Sequence, residues 1–437
     1  MNKKALVVTI VAIIVIASVV GVLLFIDWDN GNTIYPHFFQ TQENQMFYYS
    51  SFAVDDDGNL YIGTSHKQYW QIEGGEWSEN YYLYSFYSNN TKRWEFATDN
   101  SELIKGGPVV HPDGLIIFVT EAMSSIYDSL PNATYNKLYA LNMNDGTLNW
   151  TSDPLTEDIN DSPWGPNCLN PAIDLNGHIY FQSQDNVTSF YKNGTMRWYN
   201  DSLTVAFDSA GSPSIFNDTV YFPSGGDSKI SISAFYTNGT YKWKYEINSD
   251  CFRFNMITIN NNGLIYAGTD GNDFYIINPD GTLNKTYTIP TSNAKVRGNV
   301  AIDSDGTIFL GTKNDQNSEF YALDTSGTEV SVKWKYNEPL KDVYSSPTIA
   351  NDSSVFFATE DRKVFRVNKQ NGNLVNSYEV ERDITWCSCT FDDDGTLYIG
   401  DMGGYLYAIE LGNIGLEDTP WPCLGASFKR TRYQSPA

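Results

Sequence analysis

Apolar and polar positions along this chain alternate in short runs rather than in helical stripes. Runs such as LYIG at 60–63, IYFQ at 179–182, IYAG at 265–268, IFLG at 308–311 and VFFA at 355–358 mix β-branched and aromatic residues. That mixture suits strands packed on both faces. A polar turn rich in Asp, Asn and Gly precedes each run, the chemistry of a tight hairpin that needs positive φ. The turn recurs at Gly58, Gly114, Gly177, Thr219, Gly263, Gly306, Ser353 and Gly395, with spacings of 56, 63, 42, 44, 43, 47 and 42 residues. The two longest intervals carry insertions at 68–81 and 123–135. A four-strand unit repeated eight times at 42–47 residues predicts an all-β fold, an eight-bladed β-propeller of four-stranded antiparallel blades.

A second regularity sits at the last turn of the unit. Trp94, Trp150, Trp198 and Trp243 each follow it by about four residues, with Trp334 displaced. A Trp at a fixed repeat position is expected to pack one blade on the next. The eighth copy ends at 405–411 without a fourth strand, whereas 34–49 precedes the first copy without a repeat of its own. An N-terminal strand is therefore expected to complete the last blade, because closing the ring removes an open sheet edge.

Composition then narrows the setting. The 437 residues carry a net charge of −24, which opposes nucleic-acid binding, since phosphate contacts need concentrated positive charge. Residues 5–26 are uncharged, with Lys3 and Lys4 before them and Asp27 and Asp29 after. Such a run is long enough to cross a bilayer as a helix and orients the remainder outside the cytoplasm. The expected division is a transmembrane anchor at 1–28 and a propeller with C-terminal tail at 29–437. Cleavage of the anchor as a signal peptide would need a small-residue site, and Ala17-Ser18-Val19 is a poor one. Eleven Asn-X-Ser/Thr sequons, a mild excess, agree with an exterior glycoprotein. Five cysteines, Cys168, Cys251, Cys387, Cys389 and Cys423, leave at least one without an intrachain partner and show no CxxC spacing.

The segment 140–150 (ALNMNDGTLNW), together with 322–327 (ALDTSG) and the tail 420–430 (PWPCLGASFKR), resembles the pyrroloquinoline-quinone-like repeat propellers. That family includes quinoprotein dehydrogenases and non-catalytic outer-membrane assembly factors, and the resemblance leans to the latter. Its enzymes hold a quinone on the axis with calcium, a catalytic carboxylate and a disulfide between adjacent cysteines. This chain has Cys387-Ser388-Cys389 instead of an adjacent pair, so no cofactor residue carries over and no cofactor is expected. The turns at 55–58, 303–306 and 392–395 are rich in Asp but lack the spacing of a calcium loop. No GxSxG, HExxH or phosphate-binding glycine loop occurs, and four His are scattered.

One constellation remains. Aligned on the repeat, small polar residues (Ser51, Gly107, Asn170, Ser212, Asn299, Ser346, Ser388) mark the entry to the innermost strands. Three places before the position that follows them lie Tyr49, Lys105, Arg297, Tyr344 and Trp386, with Arg253 one place earlier than its equivalent. Lys105, Arg253, Arg297, Tyr344 and Trp386 are expected to converge as loop-tip residues at one mouth and to suit an anionic or sugar ligand. The competing expectation is a solvated rim paired with Asp208 or Asp342. The function expected is a non-catalytic binding or scaffold protein, displayed at the cell surface to an unknown protein, glycan or small ligand. The alternative is an extracytoplasmic enzyme, quinone-dependent or carbohydrate-active, and fold alone does not choose between them.

Overall fold

The computed structural model describes residues 25–27, 32–43, 45–66, 80–98, 102–104, 106–121, 137–153, 170–182, 186–201, 211–226, 229–248, 254–314 and 317–436. Eight antiparallel sheets form the blades of a propeller. In blade 3, for example, Ala172–Ile173, Ile179–Gln182, Val187–Phe190 and Met196–Asn200 pair in that order, and are called strands a to d from the axis outward. Blade 8 takes Thr390–Phe391, Thr396–Gly400 and Tyr405–Glu410 from the end of the repeat region and His37–Gln40 from its beginning. The ring is thus closed by an N-terminal strand, as the missing eighth strand d required.

The anchor expected at 5–26 lies outside the described residues except for its last two. Phe25 and Ile26 lie in the strand Phe25–Asp27, which pairs with Asn32–Ile34; that second strand joins Leu374–Glu379, strand d of blade 7. These two residues are therefore strand rather than helix, and the helix as drawn is corrected there: an aromatic and a β-branched residue take up sheet pairing. Among the described residues no helix is long and apolar enough to cross a membrane.

The small polar residues of the repeat have a structural task. The Asn170 amide donates to Ser212 Oγ (3.1 Å), Asn299 to Ser346 Oγ (3.0 Å), Ser346 to Ser388 Oγ (2.9 Å) and Ser388 to Ser51 Oγ (2.8 Å). Each bond runs from one blade to the next, and the last crosses the closure from blade 8 to blade 1. A second belt lies two residues on, where Ser214, Thr258 and Thr348 donate to the carbonyls of Ile257, Val300 and Cys389 in the following blade. At about 1 kcal/mol each, such bonds also satisfy strand edges that would otherwise be buried unpaired.

Farther out, the Trp residues join blades through the c–d turn. The Trp198 indole N–H donates to Thr237 O (3.0 Å), and a Cβ placed on Gly239 would lie 2.7 Å from the Trp198 ring. Trp94 meets Gly146, Trp150 meets Gly194, Trp243 meets Gly281 and Trp334 meets Gly372 in the same way. Each of these glycines has φ between 70° and 90°. Positive φ and contact with a neighbouring ring together leave no room for a side chain. Blade 5 has Lys285 at the Trp position, and its ammonium reaches the carbonyls of Thr325 and Gly327 in the same turn of blade 6 (2.5 Å each).

The C-terminal tail finishes the fold. The amides of Val54, Val110, Ile173, Ile215, Ile302 and Ile349 occupy one repeat position on six strands a. They donate respectively to the carbonyls of Phe428, Lys429, Thr431, Arg432, Trp421 and Pro422. Trp421 is fully buried. The tail lies across the axis and covers the inner edges of six blades.

Candidate functional site

In a four-stranded meander the a–b and c–d turns fall at one end, and the b–c turns and d-to-a links at the other. The tail lies at the first end, where Asn351 and Gly415 bond between an a–b turn and the tail. At the second end a cavity of about 1060 Å³ opens toward the axis.

Arg297, Tyr344 and Trp386 all line this cavity. Arg297 donates through Nε and Nη2 to the two oxygens of Asp270 (2.8 and 3.0 Å), and its guanidinium carbon stands 6.0 Å from the Tyr344 ring centre. Tyr344 packs on Trp386 with centroids 4.9 Å apart, and Trp386 stacks on Tyr49 at 4.7 Å. A continuous ladder of Asp270, Arg297, Tyr344, Trp386 and Tyr49 thus crosses blades 5, 6, 7, 8 and 1. Tyr49 and Trp386 hold φ of 60° and 63°, a left-handed conformation that bulky residues rarely adopt and that clusters at functional sites. Lys105 and Arg253 lie outside the described residues.

Two particulars differ from expectation. These residues are not loop tips, because Tyr344 and Trp386 are only 9% and 8% exposed and Asp270 is buried beneath Arg297. Nor does Arg297 offer a free positive charge, since its partner is Asp270 rather than Asp208 or Asp342. Lys313 is likewise paired with Asp342 (3.3 Å) and Arg362 with Glu379 (2.9 Å). The carboxylates Glu43, Asp342, Glu360, Glu381 and Asp383 outnumber the cavity's four cations, Arg297, Lys313, Arg362 and Arg382, two of which are taken by Asp270 and Glu379. Glu381 meets His37 (3.0 Å), whereas Glu360 has only the Thr385 hydroxyl at 3.4 Å. Burial, reinforced by Asp342 and Asp383, pushes the Glu360 carboxyl up to about 7. Asp383 is also raised, first by burial. The mouth therefore carries an aromatic wall under an excess of negative charge.

Sequence reasoning missed Asp270, Glu360 and Asp383. A signal existed: Asp270, Lys313 and Glu360 each stand seven residues after their first turn, a second aligned column at the end of strand b. The Asp-rich turns are hairpin caps. Asp55 accepts the amides of Asp57 and Asn59 and the Tyr61 hydroxyl (3.0, 2.8 and 2.7 Å), and Asp392 does the same with Asp394, Thr396 and Tyr398. Among the described residues no group of three His, Cys, Asp or Glu is placed to hold a metal ion.

The fold and its inter-blade Trp contacts define an eight-bladed β-propeller. Residues 82–279 match the family model of outer membrane protein assembly factor BamB. BamB from Moraxella catarrhalis superposes with a TM-score of 0.58 at 14% identity, covering 85% of this chain and 97% of that one. A europium-containing methanol dehydrogenase gives 0.61 at 12% identity, covering 83% of each chain. The computationally designed Ika8 protein gives 0.59 at 9%, covering 86% and 99%. At these identities the structures share the fold alone. No curated protein matches the sequence.

Proposed function

We propose that this chain is a non-catalytic scaffold, held on the outer side of a membrane, that seats a basic, extended segment of a protein partner in the mouth. The single observation that carries this is the charge balance of the cavity. Arg297, Lys313 and Arg362 are ion-paired within the fold with Asp270, Asp342 and Glu379. Glu360 and Asp383, beside Tyr344 and Trp386, make no ion pair among the described residues and feel Lys313, and Arg362, Arg382 and Lys341, respectively, only as neighbouring charges. A lysine or arginine side chain would find both a carboxylate and an aromatic face there, where desolvation strengthens each. The likeness to an outer-membrane assembly factor supports a scaffold role. The anionic or sugar ligand expected from sequence is less well served by Arg297, one of the three cations meant for it, because Asp270 already binds that side chain.

Calorimetric titration of the full chain with short oligolysine, oligoglutamate and a neutral oligosaccharide tests this. Saturable, salt-sensitive binding of oligolysine alone is expected, and it should weaken at least tenfold in Glu360→Gln/Asp383→Asn. Binding of oligoglutamate or the oligosaccharide in place of oligolysine would overturn the proposal.

A further inference from the structure

Beneath the mouth, inside the tail, lie two buried cations that no carboxylate among the described residues neutralises. Arg430 and Arg432 are 2% and 1% exposed. Both hold left-handed φ (62° and 56°). Arg430 Nη1 donates to Ser51 O (2.6 Å). Arg432 donates through Nε to Pro213 O (2.6 Å) and through Nη2 to Ser214 Oγ and Ile257 O (3.1 Å each). Every one of these acceptors is neutral. Arg430 Nε, Arg432 Nη1 and the indole nitrogen of Trp421 have no acceptor at all, and the Arg432 guanidinium lies 6.0 Å from the Trp421 ring centre.

A buried charge left unpaired costs several kcal/mol, so a site of this kind calls for a counter-ion. The nearby thiols cannot supply it. Burial raises Cys387 to about 11 and Cys423 to about 12, so both are neutral at physiological pH. Burial lowers Arg430 to about 10, and burial with repulsion from Arg430 lowers Arg432 to about 9, which leaves both charged. A small cavity of about 10 Å³ adjoins Arg430 and is lined also by Ser51, Cys389, Thr390 and Cys423. That is room for one water-sized occupant, with hydroxyl and thiol hydrogens as further donors.

We propose that the propeller axis holds one buried monatomic anion, of the chloride class, in the cavity beside Arg430, with Arg432 as the second positive charge behind it. The ion would tie the tail to blades 1 and 8 by neutralising the charge the tail brings into the axis. This is a structural ion, independent of what the mouth binds.

The test is thermal melting of the full chain at constant ionic strength in sodium chloride, bromide or gluconate, with a bromide-soaked crystal measured at the bromine edge. Chloride and bromide should raise the melting temperature saturably by about 2–4 °C over gluconate. An anomalous peak should lie within hydrogen-bond distance of Arg430 Nε. Cys423→Met, which fills the cavity while leaving both arginines in the chain, should abolish the halide effect, and it keeps the test open if Arg430→Met fails to fold. Equal melting in all three salts, or a halide-free cavity in the crystal, would overturn the proposal.

Discussion

The two ends of the axis are made from the same repeat and treated oppositely. At the a–b turn end the tail takes up the inner-strand amides of six blades and buries Trp421, Arg430 and Arg432. At the other end no described segment crosses, and a cavity of about 1060 Å³ remains above the Arg297, Tyr344 and Trp386 ladder. The difference follows from the links each end carries. The a–b and c–d turns are short and fixed by Asx and Gly chemistry, so every blade offers the tail the same docking position. The b–c turns and d-to-a links vary in length and residue from blade to blade, so that end can be individual. The uniform end carries the inter-blade and tail bonds, and on the proposed reading recognition falls to the varied one.

The comparison breaks most severely if the covered end is opened. Removal of residues 412–437 should leave six inner strands with unpaired amides, and a chain without a cooperative thermal transition is the expected outcome. Gly107→Ala acts on the same region, since a Cβ there would sit 1.5 Å from Arg430 Nη1 and 2.6 Å from Ser51 O, a backbone atom that cannot swing away. A loss of about 3 kcal/mol or more in denaturant melts is expected.

Next in size are the blade junctions. Trp198→Ala should cost about 2–4 kcal/mol in denaturant unfolding, because its half-buried ring packs on Gly239 and its N–H is bonded. Lys285→Met, at the equivalent place in blade 5, should cost only about 1 kcal/mol, the worth of ordinary hydrogen bonds. Equal losses would mean that the Trp rings do not lock the blades. At the mouth, Arg297→Ala is expected to cost about 3 kcal/mol by removing the bidentate partner of the buried Asp270 side chain.

The smallest effect is a pH dependence. Glu360 stands at about 7 in the folded chain, above its ordinary 4.5, so the folded state holds a proton that the unfolded state has released. The stability this proton contributes is fully present below the ordinary value and is lost as the pH rises toward about 7. Melting temperature should decline across that window, and Glu360→Gln should flatten the decline. Affinity for oligolysine should rise over the same range as the carboxylate appears.

Much of the fold was legible because it depends on local chemistry repeated eight times. The Gly and Asx turns gave the blade count, and the Trp positions gave the junctions. The same turns account for part of the sequon excess: Asn89, Asn193 and Asn238 accept the amides of Thr91, Thr195 and Thr240 just as Asp145 and Asp280 accept those of Thr147 and Thr282. An Asx-x-Thr hairpin becomes a sequon whenever Asx is Asn. The mouth was legible only in part. Repeat alignment brought Arg297, Tyr344 and Trp386 together, since equivalent positions in a propeller share a height and a radius. It did not show that Arg297 would be neutralised, because Asp270 comes from a b–c turn 27 residues earlier, and only the second aligned column, seven residues after the first turn, marks that position. The tail was illegible because nothing local in Arg430 or Arg432 says that the inner strands of six blades will take it up.

Hydrogen exchange of the full chain with and without oligolysine tests the asymmetry of the two ends most directly. The amides of Val54, Val110, Ile173, Ile215, Ile302 and Ile349 should be among the slowest to exchange in both states, while peptides containing Arg297, Tyr344, Glu360 and Asp383 gain protection on binding. Rapid exchange at those six positions, or protection that appears at the tail and not at the mouth, would contradict the account.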